Sequence, residues 1–282
     1  MICIYHSRDL DGWMSAAIVR LKYPTIDLIG WDYGQPIPVL DPTQAVIMVD
    51  ISFPKEEMKL IAGQGLVWID HHISAIKDMA WLGFILEGLR DPLYAACELT
   101  WRHLFPNKTI PELVRLLGRY DCFGHKGTEE EQTVLAFQYG ARQVISNPQD
   151  AFVTLNRCLA GMGTSDYILE QGQAIYKYLC TEAKQIYSRS FEMQIAGFKF
   201  AFVNQDRFNP INFGIDYHKD GYDGFACFWY ANNKWTFSLY NDNGLVDCSE
   251  ICKMFGGGGH KGAAGFTKPD INWLFHYVTD IV

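Results

Sequence analysis

Short apolar runs, each bounded by polar or turn residues, mark the opening part of the chain. Ile2 to Tyr5, Ala45–Ile51 and Leu66–Ile69 have this form. It is the pattern of strands buried on both faces of a parallel sheet. Thr25–Trp31 reads as a further strand. Between these runs the spacing turns helical, over Trp13 to Lys22, where Pro24 ends the helix, and over Pro54–Ala62, with proline in the first turn. Strands alternating with short helices predict a parallel α/β sheet.

Helical patterns follow at about 92–105 and 111–120, and from about 128 to 190 the chain reads as almost wholly helical. The last piece, Asp166–Arg189, is long, with Ser165 or Asp166 as its cap, and reads as a connector. Beyond it the pattern changes again. Phe191–Asn204 and Gly224–Tyr240 are aromatic and β-branched, and Asn232-Asn233 marks a hairpin turn. A short helix from Val246 to Phe255 runs into the glycines Gly256–Gly259, with a strand near Gly265–Thr267 and a C-terminal helix near 271–281. The expected organisation is a first α/β domain over 1–125, a helical region and linker over 126–190, and a smaller second α/β domain over 191–282.

Composition narrows the class. With 282 residues and 49% hydrophobic content, the chain can bury a substantial core. It lacks an apolar run long enough to span a bilayer, and its N-terminus lacks a basic leader, so a soluble cytoplasmic protein is expected, with no membrane partner. The eight cysteines are scattered without a Cys-x-x-Cys, which points to free, buried thiols. The net charge of −8 argues against long duplex nucleic acid as a partner. An acidic protein still binds phosphates where bound cations invert the local field.

That possibility turns on where the carboxylates fall. His6, Asp9 and Asp11 follow the first strand, Asp50 ends the Ala45–Asp50 run, and Asp70, His71 and His72 follow Leu66–Ile69. In an open parallel sheet the C-terminal strand ends share one edge, where sites form. Each piece alone has an ordinary reading as a turn former, a helix cap or an incidental pair. All three at equivalent strand ends point to cations, because carboxylates so crowded are costly unless neutralised. The Asp and His mixture suits Mn²⁺ first, with Mg²⁺, Co²⁺ or Zn²⁺ as alternatives.

At these residues the sequence resembles the DHH phosphoesterase family. The namesake motif is Asp70-His71-His72, the first motif is His6-Ser7-Arg8-Asp9-Leu10-Asp11-Gly12 with Ser15 following, the second is Asp50 in VDIS, and the fourth is Asp121 in GRYDCF. The stretch from Ala95 to Leu99 resembles the helix after the third motif. The segment from Phe255 to Phe266, FGGGGHKGAAGF, resembles the signature of the DHHA1 substrate-binding domain. The resemblance implies an α/β fold: a parallel-sheet DHH domain with helices on both faces and a smaller mixed-sheet DHHA1 domain, joined by a helical linker.

The resemblance also implies roles. Two divalent cations would be held, one by His6, Asp9 and Asp50, the other by Asp11, Asp50, His71 and Asp121, with Asp50 bridging. Catalysis would involve Asp50, His72 and Asp70, with a bridging hydroxide as nucleophile, His72 on the substrate phosphate and Asp70 orienting an imidazole. Gly257, Gly258, Gly259, His260 and Tyr240 would bind substrate across a cleft between the domains. The expected partner is a small nucleotide or a short single-stranded oligonucleotide, and the fold allows a homodimer. Pyrophosphate or polyphosphate hydrolysis and a non-catalytic nucleotide sensor are the alternatives. Two departures from the family pattern stand out. Only Ser7 and Arg8 separate His6 from Asp9, where many members have three residues, and Tyr240 follows Ser238-Leu239 where many have arginine. Arg8, His125, Lys126, Lys234 and Lys261 are candidates for replacement positive charge, and the aromatics from Phe225 to Phe237 for a base-stacking platform.

Overall fold

The structure is a computed structural model that describes residues 1–80 and 86–272. The chain divides into two compact units, Met1–Ile175 and Tyr176–Val282.

The first unit is built on parallel strands β1 (Ile2–His6), β2 (Asp27–Trp31), β3 (Val46–Val49) and β4 (Val67–Ile69), in the order β2-β1-β3-β4. Glu87 and Arg90 add parallel bridges to Val67 and Asp70. Alternate residues of each strand feed opposite faces. Cys3, Ile47, Val49 and Ile69 enter one core, while Ile2, Ile4, Val46, Met48 and Trp68 enter the other. The first core is closed by α1 (Leu10–Lys22), α4 (Ala96–Leu104), α5 (Glu112–Asp121), α6 (Glu131–Val144) and α7 (Pro148–Leu159). The second is closed by α2 (Lys55–Ala62) and α3 (Ile73–Met79). Burial on both faces is why these strands read as continuous apolar runs.

Within the stretch expected to be helical region and linker, α6 and α7 pack into the first unit's core. The division between units falls inside α8 (Thr164–Tyr187), which begins two residues before the expected start at Asp166. Helices α6 and α8 cross closely. A Cβ at Gly140 would lie 2.0 Å from the carbonyl oxygen of Ile168, and one at Gly172 would lie 1.9 Å from that of Ala136. Glycine at both positions lets the backbones touch.

The second unit has a mixed sheet of β5 (Phe191–Ile195), β6 (Phe198–Asn204), β7 (Gly224–Ala231), β8 (Lys234–Tyr240), β9 (Gly258–His260) and β10 (Ala263–Lys268), in the order β5-β6-β7-β8-β10-β9. Among the described residues, only the β6–β7 pairing of this sheet is parallel. Asn232 and Asn233 take φ of 51° and 58°, as a tight hairpin turn requires. The expected strand Phe191–Asn204 is broken into β5 and β6 by a second such turn at Ala196 and Gly197, with φ of 54° and 82°. Helix α9 (Cys248–Met254), capped by Asp247, covers one face of the sheet, and Ala183 of α8 packs on the other. The helix expected near 271–281 lies, from 273 on, outside the described residues. All eight cysteines are free, and among the described residues no helix is long and apolar enough to cross a membrane.

Candidate metal centre

The C-terminal edge of the first sheet gathers the acidic and imidazole groups. After β1 the chain turns sharply at Asp9, whose Oδ1 accepts a hydrogen bond from the Gly12 amide at 3.0 Å and caps α1. Its Oδ2 lies 2.9 Å from His6 Nδ1. Asp9 is therefore a helix cap and a member of the cluster at once. A Cβ at Gly12 would lie 2.0 Å from the His6 carbonyl oxygen, so only glycine lets the turn close this tightly.

Asp11 is buried, and its two oxygens accept from the amides of Ala96 (2.8 Å) and Cys97 (2.7 Å). Ala95, the N-cap of α4, supplies no side-chain bond, so Asp11 caps that helix from outside. The two bonds fix the carboxylate's direction.

Asp50 follows β3 with φ of 61°, a conformation that Asp tolerates better than most residues. Its amide pairs with the Ile69 carbonyl at 2.9 Å, and the side chain is buried. Its oxygens divide between two groups, Oδ2 at 3.5 Å from His6 Nδ1 and Oδ1 at 3.4 Å from His71 Nε2. His71 Nε2 also lies 3.2 Å from Asp121 and 3.7 Å from Asp11. Asp121 is the last residue of α5, where a carboxylate opposes the helix dipole. Asp70 is fully buried, and its Oδ1 accepts from the His71 amide (2.7 Å), the His72 amide (3.2 Å) and His72 Nδ1 (2.8 Å). Among the described residues, three groups, each with ligand atoms within 4.8 Å of one another, could hold a cation: His6 with Asp9 and Asp50, Asp11 with His71 and Asp121, and Asp50 with His71 and His72.

The electrostatics follow from this crowding. Burial, then the charges of Asp11 and Asp9, push the Asp50 carboxyl well above its usual range, with the nearby His6 ring opposing. Burial, Asp11 and Asp50 do the same to Asp121. Burial opposes a charge on His6, but the Asp50 and Asp9 carboxylates outweigh it and raise the ring to about 11. Burial likewise opposes a charge on His72, and Asp70 outweighs it. His6 Nδ1 and Asp50 Oδ2 are buried facing atoms that make no aligned hydrogen bond. Unsatisfied buried donors and acceptors of this kind, with two more carboxylates beside them, fit a cation.

One member of the cluster escaped the sequence reading. Asp32 lies 3.4 Å from His6 Nε2 and is held by Arg8 Nε at 2.5 Å. It follows Trp31 at the end of β2, so the strand-end rule that singled out Asp50 applies to it equally. Two candidates for replacement positive charge are already committed. Arg8 is paired with Asp32. His125 is buried, donates from Nδ1 to the Arg119 carbonyl at 2.9 Å, and has its pKa lowered by burial, so it adds no charge.

Gly257, Gly258, Gly259, His260 and Tyr240 lie in the second unit. The glycines have a packing reason. A Cβ at Gly257 would lie 2.1 Å from the Gly265 carbonyl oxygen, and Gly259 has φ of 143°. Ala263 of β10 pairs with Tyr240 on one side and His260 on the other, which sets the three in one row across the sheet. His260 is exposed, while Tyr240 packs partly into the core beside Phe225 and Cys227. Of the aromatics read as a stacking platform, Phe225, Phe228 and Phe237 are buried, and Tyr230 is exposed with its ring 5.2 Å from Trp235.

No family model matches the chain. An uncharacterized protein of Acanthamoeba polyphaga mimivirus is 24% identical over 236 residues, which cover 78% of this chain and 52% of that protein. The chain thus spans about half the length of this curated relative. A pGpG-specific phosphodiesterase from Vibrio cholerae has a similar structure, with a TM-score of 0.57 and 13% identity over 100% of this chain and 97% of that one. The DHH domain of a member of the s1p family of ribosomal proteins gives 0.60 and 14%, covering 99% and 86%. An exopolyphosphatase-related protein from Bacteroides fragilis gives 0.50 and 14%, covering 99% and 90%. The chain has the fold of the DHH-domain proteins, with its own Asp70-His71-His72 gathered at one sheet edge beside His6, Asp9, Asp11, Asp50 and Asp121.

Proposed function

We propose that the chain is a divalent-cation-dependent phosphohydrolase of small nucleotides, such as short oligoribonucleotides, dinucleotides or 3′-phosphoadenosine 5′-phosphate. The observation that carries this reading is Asp50, which presents one oxygen to His6 and the other to His71 and so belongs to two potential cation groups at once. Cations held by His6, Asp9 and Asp50, and by Asp11, Asp50, His71 and Asp121, would acidify water and neutralise phosphoryl oxygens.

The protein's own part is positioning. The first turn of α4 fixes Asp11. Asp70 accepts a hydrogen bond from Nδ1 of His72 and leaves Nε2 for a substrate phosphate oxygen. Asp32 meets His6 on the ring nitrogen that faces away from Asp9 and Asp50. In the second unit, the row of Tyr240, Ala263 and His260 holds the phenol and the imidazole that the glycine-motif resemblance assigns to substrate binding. Tyrosine cannot make arginine's two-pronged phosphate contact, which favours one hydrogen bond or a stacked base there.

The net charge of −8 supports small substrates over long polymers. The similar Vibrio cholerae enzyme is specific for pGpG, a linear dinucleotide. The test is hydrolysis by chelator-stripped protein, with and without Mn²⁺, of a short RNA, a linear dinucleotide, a cyclic dinucleotide, 3′-phosphoadenosine 5′-phosphate and pyrophosphate. Mn²⁺-dependent turnover of a nucleotide supports the proposal. Turnover of pyrophosphate alone would move the assignment to a pyrophosphate or polyphosphate hydrolase. Binding without turnover would make the protein a sensor.

A further inference from the structure

We propose that a cavity on the first unit, beside the metal centre, is a subsite for a nucleoside; this rests on the hydrolase reading above and names the group attached to the phosphate. The cavity has a volume of about 390 Å³, within the roughly 300–1,000 Å³ usual for small-molecule pockets.

Its position follows from the chain's own order. Tyr33, Ser52 and Ser74 line it, and each comes one or two residues after a member of the acidic cluster, namely Asp32, Asp50 and His72. The Tyr33 ring lies 6.4 Å from the His6 ring, centroid to centroid. A phosphate at the metal centre would therefore carry its nearest sugar and base toward this cavity.

The lining chooses a heterocycle over a second phosphate. Tyr33 is half exposed, and its ring is set edge-on against Trp31 at 5.6 Å, which itself meets Phe53 at 4.9 Å. A preset, exposed aromatic ring is a stacking surface for a base. The cavity's charged groups are Lys55 and Asp78, one of each sign, and neither forms an ion pair with another described residue. A balanced donor and acceptor, with the hydroxyl of the exposed Ser74 and the apolar Met79, match a neutral ring bearing both kinds of hydrogen-bonding group. An anion would call for an excess of donors and positive charge.

The test is a binding measurement that needs no turnover. Calorimetric titration of the full chain with Ca²⁺ compares the four nucleoside 5′-monophosphates with inorganic phosphate. The expected result is that at least one nucleotide binds about tenfold or more tightly than phosphate, as one stacked base allows. Ser74→Trp, at an exposed helical position, fills the cavity and should erase that preference, and Tyr33→Ala should reduce it. Equal affinity for phosphate and all four nucleotides would overturn the proposal. So would a preference that survives Ser74→Trp. Failure of the hydrolysis panel, by contrast, bears on the hydrolase reading and leaves this comparison intact.

Discussion

Nε2 of His6 lies 3.4 Å from the carboxylate of Asp32, on the opposite side of the ring from Nδ1, which faces Asp9 at 2.9 Å and Asp50 at 3.5 Å. One imidazole is thus held between an outer carboxylate and two inner ones. A cation ligand that passes its second ring nitrogen to a carboxylate is fixed in orientation and made more basic. Asp32→Asn should weaken Mn²⁺ binding by roughly tenfold to a hundredfold, the usual loss for such a partner. Titration of the stripped protein followed by electron paramagnetic resonance of free Mn²⁺ measures it. An unchanged affinity would show that Asp32 only pairs with Arg8.

Asp50→Asn keeps a side chain that tolerates the left-handed backbone but removes a buried charge that Asp11 and Asp9 oppose. The metal-free variant should be at least as stable as the metal-free wild type, since burial and the charges of Asp11 and Asp9 outweigh the nearby His6 in opposing the charge that the substitution removes. Mn²⁺ should raise the melting temperature of the wild type and leave the variant unmoved. Differential scanning fluorimetry with and without Mn²⁺ reads both effects, and a variant that gains stability from Mn²⁺ as the wild type does would remove Asp50 from the site.

His125 gives the pH dependence a sign. Burial lowers its pKa in the folded protein, and the unfolded value is about 6.5. Below about 6.5 the unfolded chain binds the extra proton first, so stability is fully present above that pH and falls as the solution is acidified toward the folded pKa. The slope from one such group is at most about 1.4 kcal/mol per pH unit. His125→Asn retains a donor for the Arg119 carbonyl and should flatten the fall of the urea midpoint below about pH 6.5. A slope equal to that of the wild type would place the acid sensitivity elsewhere.

Gly257→Ala tests what the glycine run is for. The added methyl would meet the Gly265 carbonyl oxygen at 2.1 Å, so β9 and β10 cannot keep their present pairing. A loss of about 1–3 kcal/mol is expected, in the range for overpacking. Because Gly257 lies in the second unit, Mn²⁺ affinity at His6, Asp50 and His71 should stay at the wild-type value. Normal stability with impaired nucleotide binding would mean that the glycines serve the ligand alone.

Strands β1, β3 and β4 were legible because both their faces are buried, which makes them dense apolar runs. The strand-end rule then led to Asp50 and Asp70 without any side-chain geometry. Other features left no such trace. Helix α3, which follows His72, is short and half exposed and has little apolar periodicity to read. Strand β9 is Gly-Gly-His, without β-propensity, and exists because β10 pairs with it. Asp32 was hidden by the turn that follows it, where its backbone carbonyl accepts from the Gln35 amide. The row of Tyr240, Ala263 and His260 depends on strand register, which local sequence does not encode.

The most direct measurement is hydrolysis of a linear dinucleotide by chelator-stripped protein as Mn²⁺ is added back. Asp50 shared between two ligand groups requires no turnover without the cation, a rate that rises with Mn²⁺ to saturation, and loss of nearly all of that rate in Asp50→Asn. A rate that survives the chelator, or one that Asp50→Asn retains, would contradict a cation-dependent phosphohydrolase centred on Asp50.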